Sequence, residues 1–421
     1  MLRHRYRFTA SVAGLVAVLG VGMAACGSSS SSGGSSGSSS SASGTPIKIG
    51  ISVPEHQITD YTEAASAAQG AVRAINKEGG VNGHPLQLIV CNTGLNPNQE
   101  VACARKMLGD HVAATVGNAD YTAEDTADAA YRSAGIAQIG DYPSGYGQVD
   151  PNSYLFFGGQ TYANAGQIYW ANKNVGKRVA TIRLAFPYTA PYPGQYEKQC
   201  AKLGCQVVSV AVVPNETTTT DLSPYAAQLM KGNPDVIVPD LGPLIVPLMK
   251  AIDQLGFSGK IVEQDTNITR ASYFAQPESI QKQYIIESAF PPPFAASQFP
   301  GLKTFLSEMK AERAAGDTSA PIYTNYNQDA TMDAWLGVHV FAQVAAKYKA
   351  YDAASFKKAI DSDHAISLMG LLPAWNPSKV NFSQQPRASV DAWYFYTTVG
   401  NQNKLLNTTP VAVTSIVKDA F

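Results

Sequence analysis

The chain has 421 residues, with 31 Lys and Arg against 32 Asp and Glu, a net charge of −1 with neutral histidine. Residues 1–25 carry three arginines and no acid, so the rest holds 28 basic against 32 acidic residues, a net of −4, and no basic surface for nucleic acid is implied. The body after the leader, about 375 residues, exceeds what one hydrophobic core organises, so two lobes are expected.

The leader comes first. Arg3, Arg5 and Arg7 precede an apolar run from Ala10 to Ala25, the charge and hydropathy order of a secretory signal. The run is shorter than the roughly 20 apolar residues a membrane-spanning helix needs, is rich in Gly and Ala, and stops at Cys26. Residues 1–25 are therefore expected to be a cleaved signal peptide. The stretch "GMAAC" resembles the lipobox of bacterial lipoproteins, in which the cysteine becomes the acylated first residue of the mature chain; Met23 stands where that family usually has Leu. The resemblance implies lipidation at Cys26 and an anchor on the outer face of the cell membrane, held firmly because several acyl chains insert together. An ordinary signal peptide with an incidental Cys26 is the alternative. Residues 26–45 are mostly Ser and Gly, cannot bury enough apolar surface to fold, and read as a flexible linker.

From Ile47 short apolar runs alternate with helical stretches. "IKIGISV" is a strand, and "YTEAASAAQGAVRAINKEGG" places Ala65, Ala68, Val72 and Ile75 at helical spacing before Gly79 and Gly80 stop it. "LQLIVCNT" is a second strand, "NPNQEVACARKMLGD" a helix opened at Asn or Pro, and "HVAATVG" a third strand. "TAEDTADAAYRSAG" follows as a helix, with Thr122 and Asp125 spaced as a capping box. A second series runs from about Tyr162 to "KIVEQD". Continuous Val and Ile runs between helices mean strands buried on both faces, hence parallel sheets with right-handed crossovers. After about Ala289 two long helices come without intervening strands, and "VDAWYFYTTVG" and "NKLLNTTPVAV" read as a late strand pair or as extended ends. The fold class is α/β, with two doubly wound parallel-sheet lobes: 46–160 and 290–370 in one, 161–289 and 371–421 in the other.

Beyond Cys26 the cysteines are Cys91, Cys103, Cys200 and Cys205, which in an exported chain admit three pairings. Cys91 with Cys103 and Cys200 with Cys205 are favoured, since each closes a short loop between a strand end and a neighbouring helix. The rival, a zinc site, would want CxxC or nearby His spacing, and neither is present.

The segment "GAVRAINKEGGVNGHPLQLIVCNTGLNPNQEVACARKMLGDHVAATVG" resembles the type I periplasmic binding proteins of the branched-chain amino acid and amide family, solute receptors of ABC importers; "INKEGGVNG" is its most specific part. The resemblance in element order runs from Ile47 to about Val399. It implies two lobes that open and close about a hinge on a solute held in the cleft, and a permease in the membrane as partner. It also implies that the protein acts as a monomer. No cofactor and no metal are called for.

Ligands of doubly wound sheets sit at the carboxyl ends of the strands, which selects the loops there. Gln57 and Tyr61 follow the first strand; Asn118, Asp120, Tyr121 and Thr122 follow "AATVG", where relatives hold a ligand carboxylate with a Ser/Thr-rich helix start; Asp141 and Tyr142 follow "IAQIG". The second lobe supplies Tyr188, Tyr192, Asp240 and Asp265, with Glu263 and Gln264 beside the last. Each has a duller reading as a helix cap, a turn residue or loop packing. A carboxylate facing the cleft repels a ligand carboxylate, so Asp120 and Asp141, if they face it, favour a solute with amino, amide or hydroxyl donors. The tyrosines would then provide flat walls and cation–π contacts.

Two other classes compete. An enzyme is disfavoured: beyond the Ser/Gly tract there is no GxSxG, HExxH, GxxxxGK or post-strand GxGxxG, and His4, His56, His84, His111, His339 and His364 share no ligand-like spacing. A sensor subunit that reports a solute to a signalling partner would use the same lobes.

Overall fold

The computed structural model describes residues 42–57, 59–142, 149–186, 189–214, 221–326, 328–379 and 387–417. The leader, Cys26 and Tyr188 lie outside the described residues.

The first sheet is built from β1 (Ile47–Val53), β2 (Leu86–Asn92), β3 (Ala114–Val116), β4 (Ala137–Ile139) and β5 (Ser153–Tyr154), all parallel, in the order β2-β1-β3-β4-β5. Helices α1 (Thr62–Lys77), α2 (Pro97–Gly109) and α3 (Glu124–Ser133) connect its strands. The chain then passes to a second sheet through α4 (Gly159–Asn174). There, β6 (Arg178–Leu184), α5 (Tyr192–Leu203), β7 (Gln206–Val213), α6 (Ser223–Met230), β8 (Val236–Asp240), α7 (Ile245–Gln254) and β9 (Lys260–Gln264) follow in turn. Two short helices, α8 (Arg270–Phe274) and α9 (Glu278–Gln281), lead to β10 (Tyr284–Ser288). These strands run β7-β6-β8-β9-β10, again parallel.

The chain returns to pack α10 (Pro300–Ala314), α11 (Asp329–Tyr348) and α12 (Ala353–Ser362) with α1, β3 and β4. It finishes with β11 (Ala392–Val399), β12 (Gln402–Leu405) and β13 (Val411–Ala412), antiparallel on the β10 edge, and α13 (Thr414–Val417).

Local sequence explains most of these elements. Asn96 accepts from the N–H groups of Asn98 and Gln99, and Pro97 opens α2, where its missing N–H costs nothing. The oily α11 is sandwiched between α1 and β3, and the buried Ala64, Ala67, Ala68 and Ala71 of α1 let the two helices approach closely. Gly80 has φ +69°, and a Cβ there would sit 2.2 Å from the His84 carbonyl oxygen, so the turn after α1 requires glycine.

Two expectations change. Thr122 and Asp125 form no capping box: α3 starts at Glu124 after Ala123, and the Thr122 hydroxyl instead donates to the buried Glu100 carboxylate at 2.7 Å. That acid takes the N–H groups of Tyr121, Thr122 and Ala123 as well, so a neighbouring helix satisfies the donors that Asp125 would have met. Secondly, β10 escapes the sequence pattern, being short and set behind two helical turns. It is the strand that joins the late antiparallel ribbon to the parallel sheet. Both disulfides, Cys91–Cys103 and Cys200–Cys205, are formed. Among the described residues no helix is long and apolar enough to cross a membrane.

Gly117 and Gly135 separate backbone strain from crowding. Both have positive φ (+62° and +67°), but a Cβ at Gly117 would lie 2.5 Å from Ala334 of α11, whereas nothing lies within 4 Å of one at Gly135. Gly135→Ala is expected to cost about 1 kcal/mol in denaturant unfolding, and Gly117→Ala at least ~3 kcal/mol because helix and sheet must part. Equal costs would show that α11 does not pack this tightly on β3.

Candidate ligand-binding site

Each parallel sheet reverses its strand order at one place, between β1 and β3 in the first and between β6 and β8 in the second. At such a point adjacent connections leave in opposite directions and open a crevice beyond the strand ends. A cavity of about 370 Å³ lies there, lined from both sheets. The first sheet contributes Thr59, Asp60 and Tyr61 after β1, Leu95 after β2, Tyr121 and Thr122 after β3, and Tyr142 after β4. The second contributes Leu184 and Phe186 at the end of β6, Asp240, Leu241, Gly242, Pro243 and Leu244 at β8, and Thr266, Asn267 and Thr269 after β9. Gln160, at the start of α4, and Gln328, just before α11, complete the wall. The wall contains no Lys, Arg or His among the described residues.

Contacts between the two sets of loops hold the cavity together. The Tyr142 and Thr266 hydroxyls share a hydrogen bond of 2.7 Å. The Tyr326 hydroxyl lies 2.8 Å from both the Asp265 and Ile268 carbonyl oxygens. On the first-sheet side, Tyr61 stacks on Tyr121 with ring centroids 6.1 Å apart, and their hydroxyls meet at 2.7 Å. Glu100, by gathering the N–H groups of residues 121–123, fixes the loop that carries Tyr121.

Two acids reach the wall, in different states. Burial opposes the charge of Asp60, but donors from Thr62 and His56 outweigh it and hold the carboxyl below its usual range, so it is ionised at neutral pH. Burial pushes Asp240 up to about 6, against the pull of Arg183, and its Oδ2 has no hydrogen-bond partner. The Asp240 carboxylate is thus an acceptor waiting for a donor at the cavity wall.

Of the residues singled out from sequence, Tyr61, Tyr121, Thr122, Tyr142 and Asp240 line this cavity. The others do not. Asn118 is buried, accepting from the Ser52 N–H and donating to Thr115. Asp120 is buried and accepts from the Ser52 hydroxyl at 2.9 Å. Asp141 is buried near Ser153, with burial and the nearby Asp128 pushing its carboxyl well up. Both acids are buried outside this cavity's wall, so the inference drawn from a charge at these positions passes to Asp60 and Asp240. Gln57 is exposed and its amide faces the Glu55 carbonyl. Tyr192 is buried against Tyr196, and Asp265 accepts from the Asp329 N–H behind the wall. Glu263 accepts from the Tyr284 hydroxyl inside the core. The sequence reading missed the apolar wall, although Leu184, Phe186 and Leu241 are visible as oily residues running past strand ends. Gln160 and Gln328 enter from connections that no local pattern marks.

Among the described residues no group of His, Cys, Asp and Glu could hold a metal ion. The geometry defines a two-sheet receptor with an interlobe cavity. The profile of the periplasmic binding protein family matches residues 46–403, and the chain belongs to that family. A Leu/Ile/Val-binding protein of Escherichia coli (strain K12) is 24% identical over 188 residues, 43% of this chain and 51% of that protein. A leucine-, isoleucine-, valine-, threonine- and alanine-binding protein of Pseudomonas aeruginosa is 33% identical over 95 residues, 22% of this chain and 26% of its own. The chain thus spans about half the length, or less, of these curated relatives. Among solved structures, a fatty acid ABC transporter substrate-binding protein from Thermomonospora curvata superposes with TM-score 0.73 at 15% identity, covering 89% of this chain and 94% of that one. A leucine-binding protein from Thermotoga maritima gives TM-score 0.68 at 16% identity, covering 86% and 98%. The fold is that of type I periplasmic binding proteins, and the relatives are named as binding proteins, not enzymes.

The Asp240 pKa gives a signed test. The native carboxyl titrates near 6 against an unfolded value near 3.8, so the native state binds the extra proton between pH 4 and 6. Stability is therefore lost as pH rises through that window, by up to about 3 kcal/mol, and the cost is fully present above pH 6. Without solute, Asp240→Asn is expected to gain on the wild type in melting temperature between pH 4.5 and pH 8. A difference that stays flat with pH would remove this assignment.

Proposed function

We propose that the chain is an exported, lipid-anchored receptor that closes two lobes on a small solute and presents it to the permease of an ABC importer. In this reading residues 46–160 with 290–370 and residues 161–289 with 371–421 are the moving wings, and Cys26 with the Ser/Gly linker tethers them to the membrane. The observation that carries it is the cavity formed where the two strand-order reversals face each other.

The wall chemistry bounds the solute. About 370 Å³ lies at the small end of the ~300–1,000 Å³ typical of ligand pockets, which suits a molecule of amino acid size. Leu95, Leu184, Phe186, Leu241 and Leu244 offer an apolar surface, and burying one aliphatic side chain there is worth about 1.5–3 kcal/mol. Asp60 and Asp240 ask for amino, amide or hydroxyl donors, while Tyr61, Tyr121 and Tyr142 supply flat walls. A carboxylate on the solute would meet only hydroxyl, amide and backbone donors, because no cation lines the cavity among the described residues. An aliphatic or aromatic amino acid, or its amide, fits these demands, and the curated relatives are named for aliphatic amino acids.

A thermal-shift screen of the mature protein with amino acids, amides, polyamines, nucleosides and small aromatics tests the receptor role. Solute at 100 times its Kd adds about 2.7 kcal/mol, a rise of several degrees. For the solute so found, Asp240→Asn is expected to weaken binding about tenfold in calorimetry. No response to any compound, or turnover of one, would overturn the receptor; unchanged uptake of the solute in a deletion strain would overturn delivery to an importer.

A further inference from the structure

A second cavity, about 390 Å³, adjoins the first: Asp60 lines both, and the consecutive residues Thr269 and Arg270 line one each. Its chemistry is different. Arg270 and Arg313 face it together with His56, Thr62, Thr318 and Ser319. We propose that this cavity binds a small oxyanion, a carboxylate or a phosphate, between the Arg270 and Arg313 guanidinium groups, at a site separate from the solute cavity.

The two arginines come from opposite sides of the molecule. Arg270 opens α8, which follows β9 of the second sheet after a short 3-10 turn, and Arg313 lies in the last turn of α10, which packs on α1 of the first. Arg270 is held firmly: its guanidinium lies 4.7 Å from the Tyr323 ring centre and 5.0 Å from that of Phe274, and its Nε donates to Asn325 Oδ1 at 2.9 Å. Both of its Nη groups are left without a protein hydrogen-bond partner. Arg313 donates through Nη1 to the Thr318 carbonyl, leaving Nε and Nη2. Neither guanidinium is in an ion pair among the described residues.

The two acids in this cavity are otherwise engaged. Asp60 Oδ1 takes the His56 and Thr62 N–H groups and the Thr62 hydroxyl, and Glu63 accepts from the Tyr323 hydroxyl while burial pushes its carboxyl up against the pull of Arg270 and Arg313. Guanidinium groups with free N–H pairs recognise carboxylate and phosphate through paired, charge-assisted hydrogen bonds. An anion held by one arginine from each side bridges the two sheets, so it stabilises this arrangement of them in addition to any solute.

The test needs no solute, so its failure leaves the receptor reading standing. Melting temperature is followed while sodium phosphate, or in a second arm sodium acetate, replaces sodium chloride at constant ionic strength. A saturable rise is expected with at least one anion; saturation by phosphate alone assigns a phosphate ligand, and saturation by acetate shows that a carboxylate suffices. Arg313 is exposed, so Arg313→Gln should fold normally and shift the half-saturation point about tenfold higher, and Arg270→Gln should do the same. Lys310→Gln, on the exposed face of α10, should leave the response unchanged. No saturable response to either anion, or identical curves for wild type and Arg313→Gln, overturns the proposal.

Discussion

The constraint on which the molecule depends is the facing of two strand-order reversals. A parallel sheet covered on both faces must send its crossover helices to opposite sides, and where the direction switches a gap opens beyond the strand ends. This chain makes that switch twice, at β1/β3 and at β6/β8, and the loops after those four strands supply most of the cavity wall. The remaining wall comes from the loops after β2, β4 and β9, and from Gln160 and Gln328, where the chain passes between the sheets. In the proposed reading, closing the sheets therefore builds the site, and separating them dismantles it.

Charge is distributed to suit. Asp120, Asp141, Asp333 and Glu287 are buried, and burial raises all four carboxyls well above their usual range. Burial thus favours the protonated form of each, and Gln167 donates to Glu287 at 2.8 Å. Both Asp333 oxygens lack a partner, which is a cost the fold carries beneath β4. At the wall, donors hold Asp60 below its usual range, and burial pushes Asp240 up to about 6. A receptor that must discriminate among small solutes gains from this arrangement, because an unmatched acceptor at the wall penalises every molecule lacking the right donor.

Much of this was legible in the sequence because it rests on local patterns. Strands buried on both faces read as unbroken Val and Ile runs, Asn96-Pro97 announces α2, and the glycines after α1 mark a turn that only glycine makes. The strand-end rule led to loops that line the cavity, and within them neighbours part: Tyr121 lines the cavity and Asp120 does not, Tyr142 does and Asp141 does not, Thr266 does and Asp265 does not. A one-residue difference in phase decides between wall and core, and no strand alternation sets it: Tyr121 and Thr122 both line the cavity, and Asp265 and Thr266 share a short 3-10 turn. The phase is set by tertiary anchors such as the Ser52 hydroxyl on Asp120 and the Asp329 N–H on Asp265, which are 68 and 64 residues away in sequence. No local pattern records those distances. The same holds for Glu100, whose hold on residues 121–123 replaces the cap that the spacing of Thr122 and Asp125 suggests.

Closure on a solute is the claim that most needs a direct measurement. Small-angle scattering of the mature protein, with and without a saturating solute, reads the separation of the two wings. The radius of gyration is expected to fall when the solute is added and to recover when it is dialysed away. A solute that binds tightly while leaving the scattering curve unchanged would contradict the claim that closing the sheets builds the site.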